Sequence, residues 1–172
     1  MNRPGAVTFK GTPLTLVGEA VAVGQAAPDF TCHYFDGALQ TLGLGDLKGK
    51  PTLISVVPSL DTPVCQQQTK KFNDELSALG DQVNAVTVSL DLPFAQGRFC
   101  GEAGVSNMRT ISDYQERSFG NAWGMLIDEL KLLARGVFVL DADGKVVHAE
   151  LVSEVTDEPD YGAAMAALKS LL

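Results

Sequence analysis

The sequence predicts an α/β fold in which strands and helices alternate along one domain. An apolar run over residues 53–57 predicts a short buried strand, and the apolar spacing over residues 66–79 predicts a helix after it. The alternation repeats with a strand pattern over residues 83–90 and a short predicted helix at Pro93–Ala103, which Asp91 is available to cap. Turn residues 141–145 then separate two further strand runs, a strong hairpin signal.

The remaining elements follow from the same periodicities. Strand runs at residues 7–10 and 14–17 flank Gly11-Thr12-Pro13, which predicts an N-terminal β-hairpin within residues 1–18. At 172 residues the chain is long enough for one domain and too short to suggest two, so residues 1–172 are predicted as one domain. The other predictions are a strand at 30–35, mostly connection at 42–51, a short strand at 108–111, hairpin strands at 137–140 and 146–151, and helices at 115–123 and 161–172.

The composition argues against several classes of function. Hydrophobic residues make up 45% and charged residues 20% of the chain, as in an ordinary globular protein. The net charge of −8 argues against a surface for nucleic acid or for an anionic membrane. No apolar run approaches the roughly 20 residues of a membrane-spanning helix. Residues 1–5 do not resemble a signal peptide, so a cytoplasmic location is expected.

The cysteine and histidine content favours thiol chemistry over metal chemistry. Three cysteines cannot form a fully paired disulfide framework in one chain, which favours redox or packing roles. No Cys-x-x-Cys motif occurs, which counts against a disulfide exchanger of the thioredoxin type. The only histidines, His33 and His148, lie in no array with metal-ligand spacing, so a zinc site is not expected. No other metal and no organic cofactor is implied.

Cys65 is the first candidate nucleophile because of where the predicted helix begins. Thr62 is a favoured N-cap residue, Pro63 suits the first helical position, and Cys65 then lies in the first turn. The free N–H groups and the dipole at a helix N-terminus favour negative charge, and therefore the thiolate form that attacks. Taken alone, the position favours a buried structural thiol over a catalytic one.

Further residues extend this pattern along most of the chain. Pro58, Thr62 and Cys65 have the spacing P-x-x-x-T-x-x-C, which resembles the signature of the peroxiredoxins, thiol enzymes that reduce hydroperoxides. Longer blocks resemble one subgroup of that family, the bacterial atypical two-cysteine thiol peroxidases, over about residues 7–172. Those blocks are Asp91-Leu92-Pro93-Phe94-Ala95-Gln96, Arg98-Phe99-Cys100, Leu132-Leu133-Ala134-Arg135 and Glu158-Pro159-Asp160-Tyr161.

The resemblance implies a thioredoxin-like fold with an N-terminal β-hairpin, and it implies roles for the residues of the signature. Cys65 is implied to attack the peroxide and Pro58 to shield its sulfur from solvent. The Thr62 hydroxyl is implied to accept a hydrogen bond from the peroxide and to donate one to the thiolate.

Arg135 is the cation that the resemblance places beside the thiolate. A guanidinium stays charged at any working pH, whereas a helix terminus alone contributes only ~0.3–1 kcal/mol, too little to ionise most of a thiol population. Without the resemblance, a surface arginine at a strand edge is the simpler interpretation. Arg109 and then Arg117 are weaker candidates for the same role.

Cys100 is the resolving thiol implied by the resemblance, and it would form an intramolecular disulfide with oxidised Cys65. The pattern alone also allows a core cysteine in a short amphipathic helix. Since the two thiols are predicted in separate helices, we expect their bonding to require unwinding of residues 62–68 and of Pro93–Ala103. Cys32 matches no catalytic position of the family and is interpreted as a packing residue.

The implied function is a thiol-dependent peroxidase that reduces hydrogen peroxide and alkyl hydroperoxides in antioxidant defence. The implied partners are the hydroperoxide substrate and thioredoxin as reductant, and the implied assembly is a homodimer. The alternative is a non-enzymatic thiol redox sensor, or a thioredoxin-fold binding protein, in which Cys65 and Cys100 form a switch. Sustained peroxide turnover with a recycling dithiol distinguishes the two, because a sensor reacts once and waits for its partner.

Overall fold

The computed structural model of the chain describes residues 1–172 and contains two β-sheets and four α-helices. The strands are β1 Asn2–Phe9, β2 Thr12–Val17, β3 Thr31–Phe35, β4 Leu39–Gly43, β5 Thr52–Val56, β6 Asn84–Ser89, β7 Arg109–Ser112, β8 Leu126–Ile127, β9 Leu132–Leu133, β10 Gly136–Leu140 and β11 Val146–Leu151. The helices are α1 Pro63–Leu76, α2 Pro93–Ala103, α3 Ser118–Ala122 and α4 Tyr161–Lys169. None of them combines the length and apolar content needed to cross a bilayer.

The larger sheet has seven strands in the order β11-β10-β5-β6-β7-β3-β4. Strands β5, β6 and β7 are parallel, and the other pairs are antiparallel. Because the carboxyl ends of parallel strands share one edge of a sheet, the loops after β5 and β6 lie side by side. Gly136 of β10 pairs with Val56 of β5, so Arg135, one residue earlier, reaches the same edge.

The two faces of this sheet bury two separate cores. Alternate residues of a strand point to opposite faces, and in β5 Leu53 belongs to one core while Ile54 belongs to the other. A core of 12 buried residues packs under α1 and α4, with α2 alongside. A core of 26 buried residues lies on the other face, and it includes Trp123 and residues of the N-terminal hairpin such as Leu16.

The smaller sheet joins the N-terminal hairpin to the rest of the chain in the order β1-β2-β8-β9. The hairpin was expected from the sequence and is present. Strands β8 and β9 were not expected, because each has only two residues: β8 is defined by pairing with the distant β2, as in Leu16 with Ile127, and β9 is defined by pairing with β8. Local periodicity gives no signal for an element of that kind.

Three local predictions need correction. In the region predicted as mostly connection, residues 42 and 43 complete β4, which pairs with β3 along its length, and Leu44–Leu47 is a short 3-10 helix. The helix predicted over 115–123 is only Ser118–Ala122, because the Asp113 carboxylate accepts hydrogen bonds from the first-turn N–H groups of Phe119 and Gly120, and Arg117 is left-handed at φ 53°.

The third correction concerns Asp91, which was expected to cap α2. The N-cap residue of α2 is Leu92, and no side chain caps the helix. The Asp91 carboxylate instead accepts hydrogen bonds from Ser59, Leu60 and Ser89.

Candidate active site

Cys65 lies in the first turn of α1, as the sequence predicts. Thr62 is the N-cap residue, with extended backbone at φ −116° and ψ 148°, and Pro63 begins the helix. The Cys65 side chain is fully buried, in a small cluster with Val57 and Leu60. The sulfur therefore sits where first-turn N–H groups without helical partners favour negative charge, inside an apolar surround that limits access to water.

Arg135 is the residue that meets this sulfur. Its side chain is 2% exposed, and its Nη2 atom donates to Cys65 Sγ at 3.3 Å. The same guanidinium donates through Nη1 to Gln68 Oε1 and through Nε to the Val155 carbonyl, each at 2.9 Å. Three acceptors around one planar group leave it little freedom to rotate.

Gln68 is a site residue that the sequence interpretation missed. It is fully buried, and besides accepting from Arg135 it donates through Nε2 to Ser55 Oγ at 2.8 Å. Gln68 follows Cys65 by three positions, so both residues lie on the same helical face. Gln68 could have been recognised from the sequence as a polar residue on the helix face that Phe72 and Leu76 predict to be buried.

The electrostatics of this group are unusual for a buried cation. No carboxylate lies within 4.0 Å of Arg135, and the one ion pair in the structure is the exposed pair of Lys131 and Asp128. A buried charge without a counter-charge is costly, and neutral acceptors compensate only part of that cost. A thiolate at Cys65 would supply the missing negative charge in direct contact with the guanidinium.

Pro58 and Thr62 lie on the loop between β5 and α1. Pro58 is buried directly after Val57. The Thr62 hydroxyl is exposed and donates to the Ser59 carbonyl at 2.8 Å, and it makes no hydrogen bond to Cys65. Its oxygen lone pairs remain free to accept a hydrogen bond from a bound molecule.

Cys100 lies near the C-terminal end of α2 and is half-buried. Its Sγ is 3.4 Å from Thr110 Oγ1, and it lines a cleft of about 630 Å³ that Cys65 does not line. Burial raises the pKa of the Cys100 thiol, and the hydrogen bond with Thr110 opposes this effect in part. The group is therefore a protonated thiol at neutral pH.

All three cysteines are free thiols. Cys65 and Cys100 pack in different clusters, and the link between them is Phe99, which precedes Cys100 and contacts both clusters. Cys32 is fully buried in the larger core, with Sγ 3.7 Å from the Asp113 carboxylate. Burial, and secondarily the charge of Asp113, raises the pKa of the Cys32 thiol.

The weaker arginine candidates lie elsewhere. Arg109 is exposed and its guanidinium carbon lies 4.0 Å from the centroid of the Tyr34 ring, while Arg117 is exposed at the start of α3. No group of three or more His, Cys, Asp or Glu side chains is arranged to hold a metal ion. The arrangement at Cys65 combines a nucleophilic sulfur, the fixed cation of Arg135 and the free N–H donors of the first turn of α1.

Comparison with known proteins connects this geometry to a family. The Redoxin family model matches residues 22–165. A thiol peroxidase of Bacillus subtilis (strain 168) is 54% identical over 166 residues, which are 96% of this chain and 98% of that protein. A thiol peroxidase of Staphylococcus aureus (strain MRSA252) is 53% identical over 165 residues, with coverages of 96% and 98%. Among solved structures, a peroxiredoxin-like protein from Aquifex aeolicus superposes with a TM-score of 0.89 at 39% identity, and 98% of each chain is covered.

Proposed function

Because the chain belongs to the Redoxin family and is a peroxiredoxin-type, thiol-dependent peroxidase, we propose that Cys65 is the thiol that attacks the peroxide. The observation that supports this choice most directly is the contact of Arg135 Nη2 with Cys65 Sγ at 3.3 Å, from a buried guanidinium without a carboxylate partner. Cys32 has a carboxylate beside it instead, which disfavours a thiolate there.

In the first step the Cys65 thiolate attacks one oxygen of the hydroperoxide. An S–O bond forms and the O–O bond breaks, and the other oxygen leaves as alkoxide or hydroxide, which takes up a proton to give alcohol or water. The sulfur loses two electrons to the peroxide and becomes a sulfenic acid. Arg135 and the first-turn N–H groups stabilise the developing negative charge, and the Thr62 hydroxyl accepts from the peroxide O–H.

In the second step Cys100 resolves the sulfenic acid. Its sulfur attacks Cys65 Sγ, the S–O bond breaks with loss of water, and an intramolecular disulfide forms without further oxidant. The two thiols pack in different clusters, which supports a rearrangement of α2 and of the start of α1 in this step.

Recycling then needs two electrons from an external dithiol, for which we propose thioredoxin. Three free thiols and a reducible disulfide suit a reducing compartment, which supports a cytoplasmic location. We also propose a homodimer. The larger core unites the N-terminal hairpin with the main sheet, which supports treating residues 1–172 as one domain.

Both hydrogen peroxide and alkyl hydroperoxides are proposed substrates. Apolar side chains flank the cysteine segments: Phe99 packs on the cluster around Cys65, and Phe94, 59% exposed, lies 5.1 Å from the Phe35 ring, centroid to centroid. Such a surface offers contact to an alkyl group.

The test is hydroperoxide consumption coupled to thioredoxin, its reductase and NADPH, with hydrogen peroxide and a bulky organic peroxide compared. Cys65→Ser should abolish turnover and keep the fold, because the hydroxyl is nearly isosteric but does not ionise. Cys32→Ser is the matched control and should retain activity close to that of the unmodified chain. Appreciable turnover by Cys65→Ser would remove Cys65 from the mechanism.

A further inference from the structure

The carboxylate of Asp91 connects the two strand ends on which the thiol chemistry depends. Asp91 follows β6, and its Oδ1 accepts a hydrogen bond from Ser59 Oγ at 2.7 Å. Its Oδ2 accepts from the Leu60 N–H at 2.8 Å and from Ser89 Oγ at 2.7 Å. Two of these three donors belong to the Cys65 loop, defined here as residues 57–62 between β5 and α1.

The same group is connected to the helix that holds Cys100. Ser89 Oγ, which donates to Asp91, accepts from Gln96 Nε2 at 3.0 Å, and the same nitrogen donates to the Ile111 carbonyl at 2.9 Å. Gln96 lies within α2 and is 1% exposed. An unbroken path of hydrogen bonds therefore runs from the Cys65 loop through Asp91 and Ser89 into α2.

Apolar contacts follow the same route. Leu60, whose N–H is held by Asp91, packs with Cys65 in the small cluster, and Phe99 of α2 covers that cluster. The Oε1 atom of Gln96, by contrast, is buried without a hydrogen-bond partner. A buried acceptor without a partner is costly, and that cost is relieved when α2 opens to water. In the folded arrangement of α2 the Gln96 amide is held through its nitrogen alone, by Ser89, which is bonded to Asp91, and by the Ile111 carbonyl.

We propose that Asp91 is a positioning residue that holds the Cys65 loop in the arrangement competent for peroxide attack, and that its bonds to Ser59 and Leu60 break when Cys65 moves to meet Cys100. The proposal rests on the roles of Cys65 and Cys100 given above. It assigns opposite effects to one residue: the carboxylate favours the first chemical step and restrains the second.

Asp91→Asn tests this with little change in size. An amide has one acceptor oxygen and an NH₂ group that cannot accept, so it cannot serve all three donors. Loss of a charge-assisted hydrogen bond is expected to slow sulfenic acid formation about tenfold and to speed disulfide closure severalfold. The fraction of Cys65 oxidised by a second peroxide to sulfinic acid should therefore fall, because closure competes with that oxidation.

Asp61→Asn is the control in the same loop. Asp61 is exposed, and its carboxylate has no hydrogen-bond partner, so removal of its charge should leave both rates unchanged. Ser59→Ala removes one of the three donors to Asp91, together with the acceptor of the Asp61 N–H, and leaves the carboxylate its two other donors. It should shift both rates in the directions of Asp91→Asn and by less.

The experiment is a rapid-quench single turnover, with sulfenic acid, disulfide and sulfinic acid counted by mass spectrometry. Slower attack together with faster closure supports the proposal, whereas a purely structural role would slow both steps or neither, and that result overturns it. If Asp91→Asn does not fold, Ser59→Ala decides, and unchanged rates in that variant overturn the proposal.

Hydrogen exchange of the reduced protein tests the role of Asp91 independently of the proposed roles of Cys65 and Cys100. Asp91→Asn, compared with Asp61→Asn, should lower amide protection in both the Cys65 loop and α2, whether or not Cys100 is the resolving thiol. Equal protection in the two variants rejects the role of Asp91. Absence of a Cys65–Cys100 disulfide in the unmodified chain would reject only the proposed second step.

Discussion

The Nη2 atom of Arg135 lies 3.3 Å from the sulfur of Cys65, with Nη1 of the same guanidinium held by Gln68 at 2.9 Å. The register of the sheet produces this contact, because Gly136 pairs with Val56 at the end of β5 and α1 begins a few residues later. An added Cβ at Gly136 would lie 2.6 Å from the Glu150 carbonyl, so only glycine fits the strand at this point.

Arg135→Met should slow peroxide attack by Cys65, because it removes the only cation in contact with the sulfur. The side chain keeps its apolar length but loses the charge, and a single charged contact of this kind contributes about 1.5–3 kcal/mol, or roughly 10- to 150-fold in rate. Single-turnover attack rates measure the effect. Arg109→Met is the control, since that guanidinium stacks on Tyr34 at the surface. An unchanged attack rate in Arg135→Met would assign the stabilising cation to another residue.

A second prediction concerns the titration of Cys100. Burial raises the pKa of this thiol, while an unfolded chain has the ordinary value of about 8.5. Below about 8.5 the thiol is protonated in both states, and as pH rises further the opened state loses its proton first, so opening of α2 becomes more favourable. Alkylation of Cys100 in a Cys65→Ser, Cys32→Ser chain should show a midpoint above the one measured in urea. Equal midpoints would show that Cys100 is not shielded in the folded protein.

Much of this site was predictable because it depends on local sequence. The thioredoxin-like α/β fold is confirmed, and Thr62, Pro63 and Cys65 stand at the predicted positions of α1. The contacts that orient the site were not predictable, because they join residues far apart in the chain. Val155, which holds Arg135, is an example. A single sequence gives the type of a side chain but not the distant partner that fixes it.

Asp91 is an example of a local rule that gives a wrong prediction because of tertiary contacts. An aspartate two positions before the first residue of a helix is available to cap it by local rules, and that prediction is wrong here. Parallel strand ends bring Ser59 and Leu60 within reach of its carboxylate, and three donors from the tertiary structure outcompete the local cap. A departure from local preference of this kind often marks a residue with a functional task.

Glu154 gives a prediction for acidic pH. Hydrogen bonds from Thr8 Oγ1 and from the Gly11 and Lys10 N–H groups lower the pKa of Glu154 from 4.5 to about 2. Because the pKa of Glu154 is lower in the folded protein than in the unfolded chain, the ionised carboxylate stabilises the folded state above about pH 4.5. This stabilisation is lost as pH falls from about 4.5 toward 2. The N-terminal hairpin should therefore lose protection from hydrogen exchange over that range.

Glu154→Gln should show the weaker protection already at neutral pH and a flatter dependence on pH. Glu116→Gln, an exposed surface change, is the control. The residue after Glu154 accepts from Arg135, so attack by Cys65 should also slow slightly in Glu154→Gln. A hairpin equally protected at neutral pH and near pH 2 would contradict the assigned role of this carboxylate.

The last prediction concerns the unwinding of α2. Gly97 and Gly101 are exposed on either side of Cys100, and an added Cβ at either position would meet no atom within 4 Å. Alanine is favoured over glycine inside a helix by ~1 kcal/mol, so each substitution should stabilise α2 and slow disulfide closure roughly fivefold. Peroxide attack by Cys65 should be unaffected, and more sulfinic acid should accumulate.

Gly104→Ala provides a control of opposite sign. Gly104 ends α2 with a left-handed backbone at φ 69°, which alanine adopts at a cost, so this change should fray the helix and speed closure. Hydrogen exchange on the reduced and oxidised forms measures the unwinding itself: residues 62–68 and α2 should lose protection on oxidation, while β6 keeps its protection. If both helices stay equally protected with the disulfide formed, the two sulfurs meet without unwinding, and the glycine substitutions should then leave closure unchanged.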